Sequence, residues 1–281
     1  MRIAVIADPH LSVLRDGTAS WHNPYRLADA DDRLDAALAD PLFNDADVFA
    51  ILGDLAHFGD RESIRRCIDA VAEARGDRPS VLLGGNHDVL VEGVNLDDEL
   101  EPWCDGTDAA KVFESSGLGL QVQIVTALTT REVYAFDVDA RTLAAPGPAG
   151  LVVFTHFPLL SLRRRARAAN LLYSGHLSDL APPVAALPTD LPVVVLSGHL
   201  HLRGVAHEGD VLQLSFAALV EAPYELARVD IQSRGDGLVL EYQCASARPP
   251  DAEKLPVLDP PAGRWLCRPG HGWQREPARN D

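Results

Sequence analysis

The chain has 281 residues, 47% of them hydrophobic, and a net charge of -16. That length suits one large α/β domain or two small ones with a true core. The acidic balance argues against a nucleic-acid polymer as partner, because such a partner is gripped by a basic face. No apolar run approaches the roughly 18 residues of a membrane span.

The first run, Ile3 to Ala7, is too short for a signal peptide and reads as a buried strand. The cytoplasm is the expected compartment. Arg26 to Ala39 has apolar residues at helical spacing. Val48 to Leu52 is a second strand, ending at Gly53-Asp54. Arg61 to Arg75 is a second helix, with Ile64, Cys67, Ile68 and Val71 on one face. Val81 to Leu83 leads into Gly84-Gly85-Asn86-His87-Asp88. Gln121 to Thr126 and Glu132 to Val138 read as strands, followed by a turn-rich connector from Arg141 to Gly150. Leu151 to Phe154 leads to Thr155-His156, and Val193 to Leu196 to Ser197-Gly198-His199. Val211 to Ser215, Ala227 to Ile231 and Leu238 to Gln243 have few helices between them. With the strands after Gln121 they predict a second, more antiparallel sheet. From Arg248 the chain is rich in proline and reads as an extended arm or tail. Strands alternating with helices imply an α/β layer structure, with ligands outside the carboxyl ends of the strands. Cys67, Cys104, Cys244 and Cys267 are far apart, form no CxxC pair, and read as free thiols.

Five of these strands end in residues that bind metals. Asp8-Pro9-His10 puts a carboxylate and an imidazole at i and i+2. On an extended segment both point to one side and grip one cation. His199-Leu200-His201 repeats the spacing with two imidazoles. Asp54 has two oxygens and can bridge two cations, Asn86 offers an amide oxygen, and His156 stands alone at a strand end. Mixed nitrogen and oxygen donors suit Mn, Fe or Zn better than Ca or Mg. Each motif alone is common in proteins; five in one chain, each at a strand end, are not.

The order D-x-H, G-D, G-N-H-D, lone H, G-H-x-H resembles the calcineurin-like metallophosphoesterase superfamily, over residues 1–245. Residues 246–281 are left as the proline-rich arm. The resemblance implies two packed mixed β-sheets flanked by helices, a four-layer α/β/β/α sandwich. It implies two divalent metal ions. Asp8, His10, Asp54 and His201 would hold one, and Asp54, Asn86, His156 and His199 the other. Such a pair, about 3.5–4 Å apart, holds a hydroxide for in-line attack on phosphorus. His87 would then protonate the leaving oxygen, with Asp88 or Asp54 orienting its imidazole. Leu55-Ala56-His57 stands where many relatives carry another acidic or polar residue, which bears on the substrate rather than on the metals.

Other residues fall near these motifs. His57 has a role against substrate or behind a ligand as one reading and a structural role as the other. His22, with Trp21 and Tyr25, lies in a loop near the first ligands and can shape a pocket. His176 is similar. Arg163, Arg164, Arg165 and Arg167 either bind a second phosphate or form a solvated helix face. The favoured activity is hydrolysis of a small phosphodiester such as a cyclic or other nucleotide. Alternatives are a phosphomonoesterase on a metabolite or phosphoprotein, and a non-catalytic, metal-stabilised interaction module. The expected partner is a small phosphate ester, with no membrane; a homodimer stays open.

Overall fold

The computed structural model describes residues 1–13, 19–88, 111, 116–125, 127–130, 133–136, 149–173, 187–188, 190–235, 237–252, 254–268 and 270–277. His176, Cys104 and most of the 141–150 connector lie outside them.

Two sheets carry the fold. The first runs β14-β13-β12-β11-β1-β2-β3 and the second β4-β7-β8-β10-β9. Their strands are β1 (Arg2–Ile6), β2 (Val48–Ile51), β3 (Ser80–Leu82), β4 (Leu120–Val125), β7 (Gly150–Thr155), β8 (Val193–Ser197), β9 (Gly204–Glu208), β10 (Val211–Ser215), β11 (Glu225–Arg234), β12 (Gly237–Ser246), β13 (Ala262–Arg268) and β14 (Gly272–Glu276). A separate ribbon pairs β5 (Ala127–Thr130) with β6 (Val133–Phe136). In the first sheet β1, β2 and β3 are parallel, whereas β11 meets β1 antiparallel. In the second, β4, β7, β8 and β10 are parallel.

Alternation along β1 shows why the strand reads as an unbroken apolar run. Ile3, Val5 and Ala7 face the layer between the sheets, where they join Val152, Phe154, Val194 and Leu196. Ala4 and Ile6 face the other way, against helices α1 (Ala30–Leu38) and α2 (Arg61–Arg75). A strand buried on both faces has no polar position to alternate. Helix α2 starts where Asp60 accepts the Ser63 N–H at 2.8 Å, buries Ile64, Cys67, Ile68 and Val71, and ends at Gly76. On the outer face of the second sheet, Leu151, Val153, Val193 and Val195 pack with Leu159, Leu160 and Leu187. The short helix α3 (Arg163–Ala168) seats Ala166 against Leu200 and Leu202. No described helix is long and apolar enough to cross a membrane.

The expected membership of the second sheet is corrected here. Ala227 to Ile231 and Leu238 to Gln243 lie in the first sheet, through β11 and β12, and the described part of Glu132 to Val138 is β6 of the separate ribbon. Among the described residues the second sheet is mostly parallel, antiparallel only where β9 pairs β10. Local patterning identifies strands but not their partners. The proline-rich segment also differs from a free arm. It supplies β13 and β14, which extend the first sheet beyond β12 and bury Trp265 and Trp273.

Candidate active site

The described parallel strands β1, β2, β3, β7 and β8 release their chains at one end of the two sheets. The residues that follow converge there: Asp8 and His10, Asp54, Asn86 and His87, His156, and His199 and His201. Asp8, His10, Asp54, His199 and His201 all have positive φ, between 48° and 67°. The i, i+2 pairs are thus not extended, as the spacing alone suggested. Alternate left-handed residues turn both side chains of each pair inward, a conformation Asp and His tolerate better than most residues. Gly85 is required by close approach: a Cβ there would lie 2.2 Å from Asp54 Oδ1.

One donor set is Asp8, His10, Asp54 and His201. One donor atom of each lies within 4.8 Å of the others, and all four residues are buried. His10 Nε2 is 3.2 Å from His201 Nε2 and 3.4 Å from Asp54 Oδ2. A second set meets on the far side of the same carboxylate. His156 Nε2 lies 3.5 Å from Asp54 Oδ1 and 3.1 Å from Asn86 Oδ1, and His199 Nδ1 lies 2.9 Å from Asn86 Oδ1. The two oxygens of Asp54 therefore face different sets. Asp8 ties the sets together by accepting the His199 backbone N–H at 3.0 Å.

Whether cations fit follows from the second nitrogen of each ring. His201 Nδ1 donates to Glu221 Oε1 at 2.7 Å and His156 Nδ1 to the Leu52 carbonyl at 2.8 Å. With both rings neutral, the form that ligates a metal, both Nε2 atoms carry lone pairs. One points at another imidazole nitrogen and the other at two oxygens. Buried lone pairs converging on lone pairs repel, and a cation between them removes the repulsion. His199 Nε2 is buried with no hydrogen-bond partner among the described residues. The donors fit a pair of divalent cations.

Glu221 went unread in the sequence, because nothing around it repeats a metal-ligand spacing. It is fully buried. Its loop reaches the site through Leu219 N–H to Ala7 O at 2.9 Å and Val220 N–H to Asp8 O at 3.3 Å. Arg33 of α1 holds the same loop, donating to Leu219 O at 3.2 Å. Gln213 of β10 plays a similar part below His156, accepting the Leu159 and Leu160 N–H groups.

The GNHD turn divides its duties. His87 Nδ1 donates to the His57 carbonyl at 2.8 Å, and its backbone N–H to Asp54 Oδ1 at 2.8 Å. Asp88 does not touch the imidazole. Its buried carboxylate accepts the backbone N–H groups of Gly85 at 2.7 Å, Ala56 at 2.8 Å and Leu55 at 3.1 Å. It knits the two ligand loops together, so the expectation that Asp88 or Asp54 orients the His87 imidazole is corrected: the His57 carbonyl engages the ring, while Asp54 holds the His87 backbone N–H. Tyr25 stacks on His201 at 5.3 Å between ring centres, and His22 Nε2 lies 3.1 Å from Leu200 O. Trp21 meets His22 edge-on at 6.3 Å. Arg165 is drawn to Asp259 at 2.9 Å and the Leu258 carbonyl, while Arg163, Arg164 and Arg167 lie exposed on α3.

Burial and the crowd of like groups set the protonation states of the metal-free site. Burial pushes Asp8 up to about 6, against the pull of His201 and His156. For Asp54, burial pushes upward too, but the imidazoles of His156, His10 and His87 outweigh it and hold the carboxyl below its ordinary range. Burial drives His10 and His199 well below the usual imidazole value, and lowers His57 to about 4. These rings are neutral at pH 7, the form that ligates metals. His201 goes the other way: Asp8 and Glu221 overcome burial and raise it. Burial and the charge of Asp54 raise Asp88 to about 7 in spite of its three N–H bonds.

Two stacked mixed sheets with nitrogen and oxygen donors gathered at their strand ends are the frame of a metal-dependent hydrolase. The model of the calcineurin-like phosphoesterase family matches residues 1–203, and the chain belongs to that family of hydrolases acting on phosphoric ester bonds. Its fold is similar to that of a dimetal phosphatase from Danio rerio, with TM-score 0.58 and 12% identity over 88% of this chain and 96% of that one. A purple acid phosphatase from yellow lupin (Lupinus luteus) seeds gives TM-score 0.46 at 15% identity, over 86% of this chain and 51% of that one. A phosphopantetheinyl hydrolase from Mycobacterium tuberculosis gives 0.43 at 14% identity, over 77% and 89%. No curated protein matches the sequence.

Proposed function

We propose that the chain hydrolyses a small phosphodiester, such as a cyclic or other nucleotide, at two divalent cations. Asp8, His10, Asp54 and His201 hold one; Asp54, Asn86, His156 and His199 hold the other. The observation that carries the two-cation part of this reading is Asp54, whose Oδ2 lies 3.4 Å from His10 Nε2 while its Oδ1 lies 3.5 Å from His156 Nε2. Mn, Fe or Zn suits these mixed donors. When bound, such cations supply a hydroxide nucleophile near neutral pH and neutralise charge on the phosphoryl oxygens.

The chain's own residues do the rest. His87, with Nδ1 engaged by the His57 carbonyl at 2.8 Å, keeps Nε2 free to hold the proton a leaving alkoxide needs. Tyr25 and His57 wall the first donor set, and Phe58, 38% exposed, extends that wall toward solvent. An aromatic wall suits a diester whose leaving group has a flat ring.

The test pairs an aryl diester with the matching monoester, each with added Mn. Diester turnover is the expected result. Turnover of the monoester alone would replace this reading with a phosphomonoesterase. Replacing His87 by alanine should lower turnover by about 10²–10⁴-fold with bound metal unchanged. Turnover equal to the parent's would remove His87 from the chemistry.

A further inference from the structure

A histidine that ligates a metal through one ring nitrogen places an N–H on the other, and that N–H needs an acceptor. Two of the four candidate ligand histidines have an oxygen there: Glu221 for His201 and the Leu52 carbonyl for His156. His10 does not. Its Nε2 is the atom turned to His201 and Asp54, so its Nδ1 carries the hydrogen. The atom facing that Nδ1, at 3.2 Å, is Nδ1 of His57.

We propose that His57 is a positioning residue for His10: its Nδ1 lone pair accepts the His10 Nδ1–H and so holds the His10 Nε2 lone pair on the first cation position. The inference rests on the dimetal reading and adds to it a residue outside both donor sets. His57 must then carry its own hydrogen on Nε2. Its backbone is fixed for the task, with N–H donated to Leu11 O at 2.8 Å and carbonyl accepting from His87 Nδ1 at 2.8 Å. The ring is 6% exposed and stacks on His87 at 5.0 Å between centres with planes 21° apart. Phe58 meets its ring edge-on at 4.5 Å and Tyr25 at 5.6 Å. One residue thus sets the tautomer of a ligand through its side chain and that of the candidate proton donor through its carbonyl.

The test titrates metal-free protein with Mn and with Zn, by calorimetry and by equilibrium dialysis, for the parent and two variants. His57→Leu fills the space without an acceptor. His57→Asn puts a carbonyl oxygen near the place of Nδ1. The expected result is a first-cation affinity about 10–100-fold weaker in His57→Leu, with His57→Asn within a few-fold of the parent. Equal affinity in all three, or an equal loss in both variants, overturns the proposal. Should His57→Leu fail to fold, nitrogen-15 histidine spectra of the zinc-loaded parent decide it. His57 Nδ1 without a proton, beside a protonated His10 Nδ1, is the expected pattern; a proton on His57 Nδ1 overturns it. A parent that binds neither metal would remove the dimetal reading and the role of His57 with it, an outcome distinct from equal binding by all three.

Discussion

Among single residues, the costliest choices all fall at the donor loops. Five non-glycine residues there adopt left-handed backbone, at about 1–3 kcal/mol each for an ordinary residue. Imidazole nitrogens are buried against one another, and two carboxylates share one small volume. Such strain persists only where surrounding bonds over-determine the loop, and Asp88, Glu221 and Arg33 supply those bonds. Glu221→Ala should weaken binding of the first cation by about 10–100-fold, because His201 loses the partner that fixes its tautomer. Glu221→Gln keeps an acceptor and should recover part of the loss; equal affinity in parent and alanine variant would refute the role. Proton linkage gives a second expectation. A cation entering the first set displaces the proton from Asp8, near 6 in the metal-free protein, and from the raised His201. Affinity should therefore rise with pH below about 6, where Asp8 holds its proton, by about tenfold per unit for each proton displaced, and go on rising for as long as the raised His201 stays protonated. Calorimetry in buffers of different ionisation enthalpy would count the protons; a flat profile would contradict the assignment.

At the scale of elements, the proline-rich segment is part of the domain's structure. Between β12 and β13 it straps the site loops. Asp251 takes Arg26 at 2.6 Å, the Arg203 N–H reaches Pro256 O at 2.9 Å, and Lys254 donates to Ala169 O and Asn170 O at 2.8 Å. Arg203 also pairs with buried Glu225, four residues past Glu221. Deleting everything after Ser246 removes this strap and strips two strands from the edge of β12, leaving a long apolar edge open to pairing. The truncated chain should aggregate, or unfold at least roughly 10 °C lower. Size-exclusion chromatography and thermal melts would show it; a monomer of unchanged Tm would mean the segment is dispensable.

For the whole molecule, the candidate active site is a seam between two sheets. The first supplies Asp8, His10, Asp54 and Asn86; the second supplies His156, His199 and His201. Their registry depends on the apolar layer between them. Phe154, fully buried two residues before His156, lies in that layer. Phe154→Ala should cost about 3–5 kcal/mol and lower Tm by roughly 10 °C, as seen by thermal denaturation. A loss under about 1 kcal/mol would show that the layer tolerates a void there.

The sequence by itself singled out the candidate donors, which the fold brings to one end of the two sheets. Asp8, His10, Asp54, Asn86, His156, His199 and His201 are polar groups set at the ends of apolar runs, and that expensive contrast is a local signal. It also determined helix α2 to the residue, because Asp60 caps it and Gly76 ends it. Tertiary structure alone decided which strands pair, that β11 and β12 join the first sheet, and that the proline-rich segment completes it. It decided that left-handed turns aim the paired ligands, and that Asp88 holds backbone rather than His87. It found Glu221 and gave His57 its place between His10 and His87. Most of these are relations between residues far apart in the chain, and the local turns among them are held by such relations; packing and the satisfaction of buried polar groups set both, and spacing along the chain does not record them.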